Sequence, residues 1–201
     1  KLGLTISGFT AWDPKATSYQ ALAVKIKQSG AQGVFLGGLI CDNGGKLIRD
    51  LKAGLPGIKL MAPDGFTPLS TVYKLSQGQA LGMTVSVAGL PNTQLPAAGK
   101  AFVAAFSKTI GGQSPDPYAV YAAQAAQVFV AAIAGSDGTR AGVTSELFKV
   151  DVSNGILGNV SFNANGDVTA NPVTIYKVVA AKGNSSTYKV IVPPNSLVKA
   201  A

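Results

Sequence analysis

The sequence predicts an α/β fold in which a parallel sheet is flanked by helices. Three observations predict it. Residues 30–65 read as strand, turn, helix, turn, strand. Such a unit makes a parallel pair of strands with a right-handed crossover. Short apolar runs alternate with amphipathic stretches through the first half of the chain. Finally, 24 glycines, many standing between those stretches, supply short connections.

The elements follow in order. Residues 2–7 alternate apolar Leu2, Leu4 and Ile6 with Gly3, Thr5 and Ser7, the pattern of a short strand. Asp13-Pro14 marks a turn. Thr17 or Ser18 can cap a helix in which Leu22 and Ile26 lie four apart, and Ser29-Gly30 closes it. Val34, Phe35 and Leu36 form a continuous apolar run, which predicts a strand covered on both faces. Gly37-Gly38 ends it by freeing the backbone. Residues 44–53 carry Leu47, Ile48 and Leu51 on one side of a helix and Lys46, Arg49, Asp50 and Lys52 mostly on the other. Gly54 is the expected stop, with Pro56 barring continuation. Residues 58–61 make the second strand, followed by an Ala62-Pro63-Asp64-Gly65 turn.

Beyond it, residues 66–81 read as a loop and one short helix capped by Ser70, with Val72, Tyr73 and Leu75 apolar. Residues 83–88 are a strand by β-branched content. A helix over 95–109 places Phe102 and Phe106 one turn apart. Residues 118–134 are a helix apolar nearly all round, hence expected to be heavily buried, with Gln124 and Gln127 on one face. Thr144 can cap a short helix containing Leu147 and Phe148. Composition then turns toward β: residues 156–162, 173–180 and 188–192 are strands, with turns at Asn165-Gly166-Asp167 and Lys182-Gly183-Asn184 and a stop at Pro193-Pro194.

Bulk properties narrow the function classes. With 47% hydrophobic and 13% charged residues, the chain builds a sizeable core. The net charge of +8 comes almost entirely from lysine, Arg49 and Arg140 being the two arginines. Those lysines are scattered rather than clustered with aromatics, which argues against nucleic acid as a partner. No apolar run reads as a membrane span, since Gln124 and Gln127 interrupt the longest. The chain contains no histidine, so neither a Ser-His nor a Cys-His pair forms within it. It has no GxSxG, GxGxxG or GK[ST] motif. Asp42-Asn43-Gly44 lacks the rest of a calcium loop. These absences predict a non-enzyme without cofactor or metal. Paired-carboxylate chemistry is left unsupported, Asp137, Asp151 and Asp167 lying far apart in sequence.

In open parallel sheets, ligands bind just beyond the strand C-termini. Here those edges are residues 37–42 and 63–67. Their chemistry-bearing members are Leu39, Ile40, Cys41, Asp42, Asp64, Phe66 and Thr67. Asp64 can pair with a cation or simply serve its own turn. Cys41, the one cysteine, is a reactive thiol or a small apolar filler. Phe66 and Thr67 touch a ligand or close the core. Tyr118 and Tyr121 read as packing residues.

Five stretches, in this order, resemble the type I periplasmic solute-binding proteins of the branched-chain amino acid ABC transporter class: DPKATSYQALAVKIKQSGAQGVFLGG, GKLIRDLKAGLPGIKLMAPDGF, ALGMTVSV, PYAVYAAQAAQVFVAAIAG and GNVSFNANGDVTANPVTIYKV. The resemblance implies two α/β lobes joined by hinge crossings around a ligand cleft. It implies that residue 1 falls inside the second lobe and that the N-terminal half is absent. Residues 1–84 and 172–201 would then be most of lobe two, and residues 85–171 a helical and hinge contribution to lobe one. The resemblance also implies that Asp64 pairs with the α-ammonium of a bound amino acid. Leu39 departs from the family, which carries an aromatic there. The implied partners are a small ligand, an amino acid by this resemblance, an ABC permease, and a missing N-terminal polypeptide or partner chain. The implied location is periplasmic or extracellular, with a lipid anchor on the absent N-terminus. A ligand-sensing receptor domain of the same fold and a doubly wound enzyme fragment are the alternatives. Independently of the family, the apolar helix over 118–134 needs partners on all sides, and residues 85–151 offer few strands to cover it.

Overall fold

The computed structural model describes residues 3–180 and, as backbone, strand residues 185–191. The chain divides into two compact units, Lys1–Ala88 with Val173–Ala201, and Gly89–Pro172.

The first unit is a five-stranded sheet with helices α1 (Gln20–Gln28), α2 (Gly45–Gly54) and α3 (Leu69–Leu75). Strands β1 (Gly33–Phe35), β2 (Lys59–Ala62) and β3 (Thr84–Ala88) run parallel, as the sequence predicts. Two antiparallel strands, numbered β6 (Val173–Val178) and β7 (Ser185–Ile191) in chain order, extend the sheet beyond β3. Leu47, Ile48 and Leu51 of α2 are wholly buried, as their spacing requires. They join Leu60, Ala62, Val85 and Val87 of the strands and Phe66, Leu69 and Val72 in one core. Burying each large aliphatic side chain there contributes about 1.5–3 kcal/mol.

Several local expectations are corrected. Residues 3–8 form no strand and are exposed; an alternating pattern needs a neighbouring strand to pair with, and β1 is the last strand on that side among the described residues. The β1 strand is not covered on both faces: Val34 points inward, whereas Phe35 is 59% exposed, because the three helices and the inward strand residues share one core. Ser70 lies inside α3, and Pro68 takes the cap position. Helix α1 begins after Tyr19, with the Ser18 hydroxyl accepting from the Gln20 amide at 3.3 Å. Gly54 is the last helical residue of α2 rather than the residue beyond it.

The second unit holds α4 (Ala97–Thr109), α5 (Pro117–Ala134), α6 (Arg140–Leu147) and a hairpin of β4 (Asp151–Gly155) and β5 (Gly158–Ser161). The β4 strand has little β signal in sequence, being polar but for Val152 and ending in Asn154-Gly155. Phe102 and Phe106 stack, with ring centroids 5.5 Å apart. Leu95, Val120 and Ile156 form the core of this unit. Gly99 lets α4 approach the hairpin, since a Cβ there would collide with the Ile156 carbonyl oxygen.

Helix α5 is not buried all round. Val120, Gln124, Val128 and Ala132, four apart, form its buried stripe, while Phe129, Val130 and Ile133 are 50, 65 and 46% exposed. By length and composition α5 also reaches what a membrane span needs, contrary to the sequence reading. Gln124 does not share a buried face with Gln127: Gln124 is buried and accepts the Leu157 amide at 3.0 Å, and Gln127 is exposed. Thr139, not Thr144, caps α6, accepting from the Gly142 amide at 3.0 Å. The Asn165-Gly166-Asp167 turn forms, with Gly166 at φ 84. The expected turn at 182–184 and the stop at 193–194 lie outside the described residues.

Candidate functional site

The C-terminal ends of β1 and β2 are adjacent, because those strands pair in parallel register from Gly33↔Lys59 to Phe35↔Met61. One further bond, from the Leu36 amide to the Met61 carbonyl at 2.8 Å, carries the pairing to the tip. The chain then opens into two loops, one after each strand.

The first loop turns at Gly37-Gly38 and passes through a single wide turn at Ile40–Gly44. Asn43 takes a left-handed φ of 64 there, and its side-chain amide donates to the Ala16 carbonyl at 3.0 Å. Trp12 lies over this loop, its indole N–H donating to the Asp42 carbonyl at 2.9 Å. The Tyr19 hydroxyl, donating to the Asp13 carbonyl at 2.7 Å, steadies the segment that carries Trp12. Burial is the main cause that raises the Tyr19 pKa, so this hydroxyl stays protonated as a donor.

The second loop is a single 3-10 turn, Asp64–Phe66, closed by the Thr67 hydroxyl on the Asp64 carbonyl at 2.7 Å. The loops touch. A Cβ at Gly65 would collide with the Gly38 carbonyl oxygen and would lie 2.7 Å from Leu39 Cδ2. Below them, the Phe66 ring fills the space beside Gly44, where an added Cβ would sit 2.9 Å from the ring.

The residues singled out in sequence therefore fall into two groups. Leu39 (49% exposed), Cys41 and Asp64 stand at the surface of the paired tips. Ile40 and Phe66 lie beneath, at 7 and 0% exposure, and hold the loops from inside. Cys41 is thus no core filler. Trp12 was not anticipated; the one available signal was a lone tryptophan just before Asp13-Pro14. Tyr118 and Tyr121 belong to the second unit, where their rings meet edge to face at 6.1 Å.

Chemically the edge offers a carboxylate, an aliphatic side chain, an indole and a thiol, with backbone amides of two turns. That set can orient a small molecule carrying both a cationic and an apolar part. Among the described residues, no group of histidine, cysteine, aspartate and glutamate could hold a metal ion.

Comparison with known proteins agrees with this architecture. The family model described as periplasmic binding protein matches residues 1–184. An amino acid binding protein of Pseudomonas aeruginosa is 25% identical over 159 residues, covering 79% of this chain and 41% of that protein. Among solved structures, the leucine binding protein LivK of Thermotoga maritima superposes with a TM-score of 0.76 at 19% identity, over 89% of this chain and 50% of that one. LivJ of Streptococcus pneumoniae, a branched-chain amino acid transporter substrate binding protein in complex with isoleucine, gives 0.66 at 20% identity, over 92 and 51%. A solute binding protein of R. palustris in complex with 4-hydroxybenzoate gives 0.70 at 17% identity, over 98 and 55%. The chain thus spans about half the length of these relatives.

Proposed function

We propose a function from the premise that this chain belongs to the periplasmic binding protein family, whose model covers residues 1–184. The chain is the C-terminal part of the solute-binding component of an ABC transporter and turns nothing over. Its first unit is most of one lobe, and its second unit is a contribution to the other. The ligand is an amino acid or a similar small molecule. One wall of its site is the edge formed by residues 37–42 and 63–67, and the facing wall comes from polypeptide outside these 201 residues.

The observation that carries this reading is the contact of Gly65 with Gly38 and Leu39, which welds two strand-tip loops into a single surface. On that surface Asp64 pairs with the ligand's ammonium, and Leu39 packs against its apolar part. Ile40 and Phe66 set the loop positions from below. Closure over the ligand expels water, and a desolvated charge pair is far stronger than an exposed one. The exposed Phe35 and the uncovered side of α5 support the missing polypeptide, since apolar surface of that kind is ordinarily packed. In the cell the protein works outside the cytoplasmic membrane, held there by a lipid anchor, and presents its closed form to a permease.

Thermal melting of the full-length protein with a panel of amino acids and small carboxylates tests the function. A binder is stabilised in proportion to the logarithm of ligand concentration. The absence of any shift across the panel, or turnover of a panel member, contradicts the proposal.

A further inference from the structure

The net positive charge of this protein resides in its first unit. That unit carries 13 of the 17 basic residues and only four of the nine acidic ones. Its acids stand away from the N-terminal end of the parallel strands. Asp42 and Asp64 lie in the strand-tip loops, Asp13 accepts the Lys15 amide in the segment beside them, and Asp50 pairs with Lys46 at 3.3 Å. At that opposite end, residues at the starts of β2 and β3 border an open concavity of about 490 Å³, whose polar lining is Lys52, Lys59, Thr84 and Lys177 beside Ile58, Leu60 and Leu81. A neighbouring concavity of about 530 Å³ shares Gly57, Ile58 and Lys59 and adds Lys27. Among the described residues, no carboxylate lines either one.

Lys52 is partly buried among these lysines. Its ammonium sits in the last turn of α2 and donates to the Ile58 carbonyl at 2.7 Å. Burial lowers its pKa. Among the described residues, the two ion pairs are Lys46–Asp50 and Lys149–Glu146, so Lys52 and Lys59 have no carboxylate partner. Lys52, partly buried, and the exposed Lys59 line one concavity with Lys177, and like charges gathered on one concave surface focus a positive potential into it. An anion with several acceptor oxygens answers that potential, because each ammonium offers three donors.

We propose that the concavity lined by Lys52, Lys59, Thr84 and Lys177, at the N-terminal end of the sheet, binds a phosphate-bearing anion. It lies at the other end of the strands from the proposed ligand loops and does not depend on them. A phosphate monoester in solution and a phospholipid headgroup share this chemistry.

The full-length protein, labelled with ¹³C,¹⁵N-lysine, is titrated with inorganic phosphate while the Lys52 Cε and Nζ resonances are followed by NMR. In parallel the full-length protein, produced without lipidation, is sedimented with vesicles of phosphatidylcholine, with and without phosphatidylglycerol. Phosphate that raises the Lys52 pKa, with affinity about tenfold weaker in Lys59→Gln/Lys177→Gln, supports a free-anion site. Sedimentation only with phosphatidylglycerol vesicles, lost in the same variant and at high salt, supports a headgroup site. Either result is independent of amino acid binding at the loops. If Lys52 is unmoved by phosphate and sedimentation is the same for both vesicles, or unchanged in the variant, the proposal is overturned.

Discussion

The indole of Trp12 lies so close over Gly38 that no side chain fits between them; a Cβ on Gly38 would collide with Trp12 Cη2 and sit 2.8 Å from Cζ2. This contact joins a segment before α1 to the loop after β1 and roofs the double glycine that ends the strand. Gly38→Ala must expel the indole or move the loop, at a cost of about 1–3 kcal/mol. Trp12 is the chain's one tryptophan. Residues 1–201 carrying this substitution should therefore show red-shifted tryptophan emission and a lower melting temperature. Unchanged emission would mean the contact is absent in solution.

Cys41 stands exposed beside Leu39 on the proposed ligand surface. In the native protein it should react with a thiol reagent at a rate within about tenfold of the denatured chain, because access rather than unfolding limits it. Saturating ligand should slow the reaction. A native-state rate orders of magnitude lower would place the thiol in the interior.

Phe66 has no exposed surface and props both loops from beneath. Phe66→Ala should cost about 3–5 kcal/mol through lost burial and the cavity left behind, read from the midpoint of urea unfolding. A cost below ~1 kcal/mol would show that the loops do not rest on this ring.

Asp137 accepts both the hydroxyl and the amide of Thr139, at 2.7 and 2.9 Å, at the start of α6. The side-chain bond first, then the backbone bond, lowers its pKa below the ordinary 3.8. A depressed carboxyl pKa adds stability that is present above the unfolded value and is lost as pH falls through the folded one. Carbon-detected NMR titration should therefore give Asp137 a midpoint below 3.8, moving toward it in Thr139→Ala. Identical midpoints in the two proteins would contradict this role for the Thr139 hydroxyl.

Local pattern was enough where neighbours in sequence are neighbours in space. The unit from β1 to β2 is legible because Leu47, Ile48 and Leu51 repeat at helical spacing and glycines punctuate both strands. Its loops follow from strand direction alone. Reading failed where a distant segment decides the outcome. Residues 2–7 alternate like a strand, yet a strand exists only beside another. Phe35 looks interior by composition, but burial depends on what covers the sheet. Thr144 is the expected cap of α6, but the helix starts at Arg140 and Thr139 caps it, a start that hydroxyl content alone does not reveal. The Trp12 contact spans 26 residues to Gly38, which no periodicity reveals.

In the function proposed above, the paired tips of β1 and β2 hold an amino acid through the Asp64 carboxylate. The most direct measurement is calorimetric titration of the full-length protein with leucine and isoleucine, comparing wild type with Asp64→Asn at equal melting temperature. Loss of the charge-assisted bond predicts affinity weaker by about tenfold or more in the variant. Equal affinity in the two proteins would remove Asp64 from the site and contradict the account.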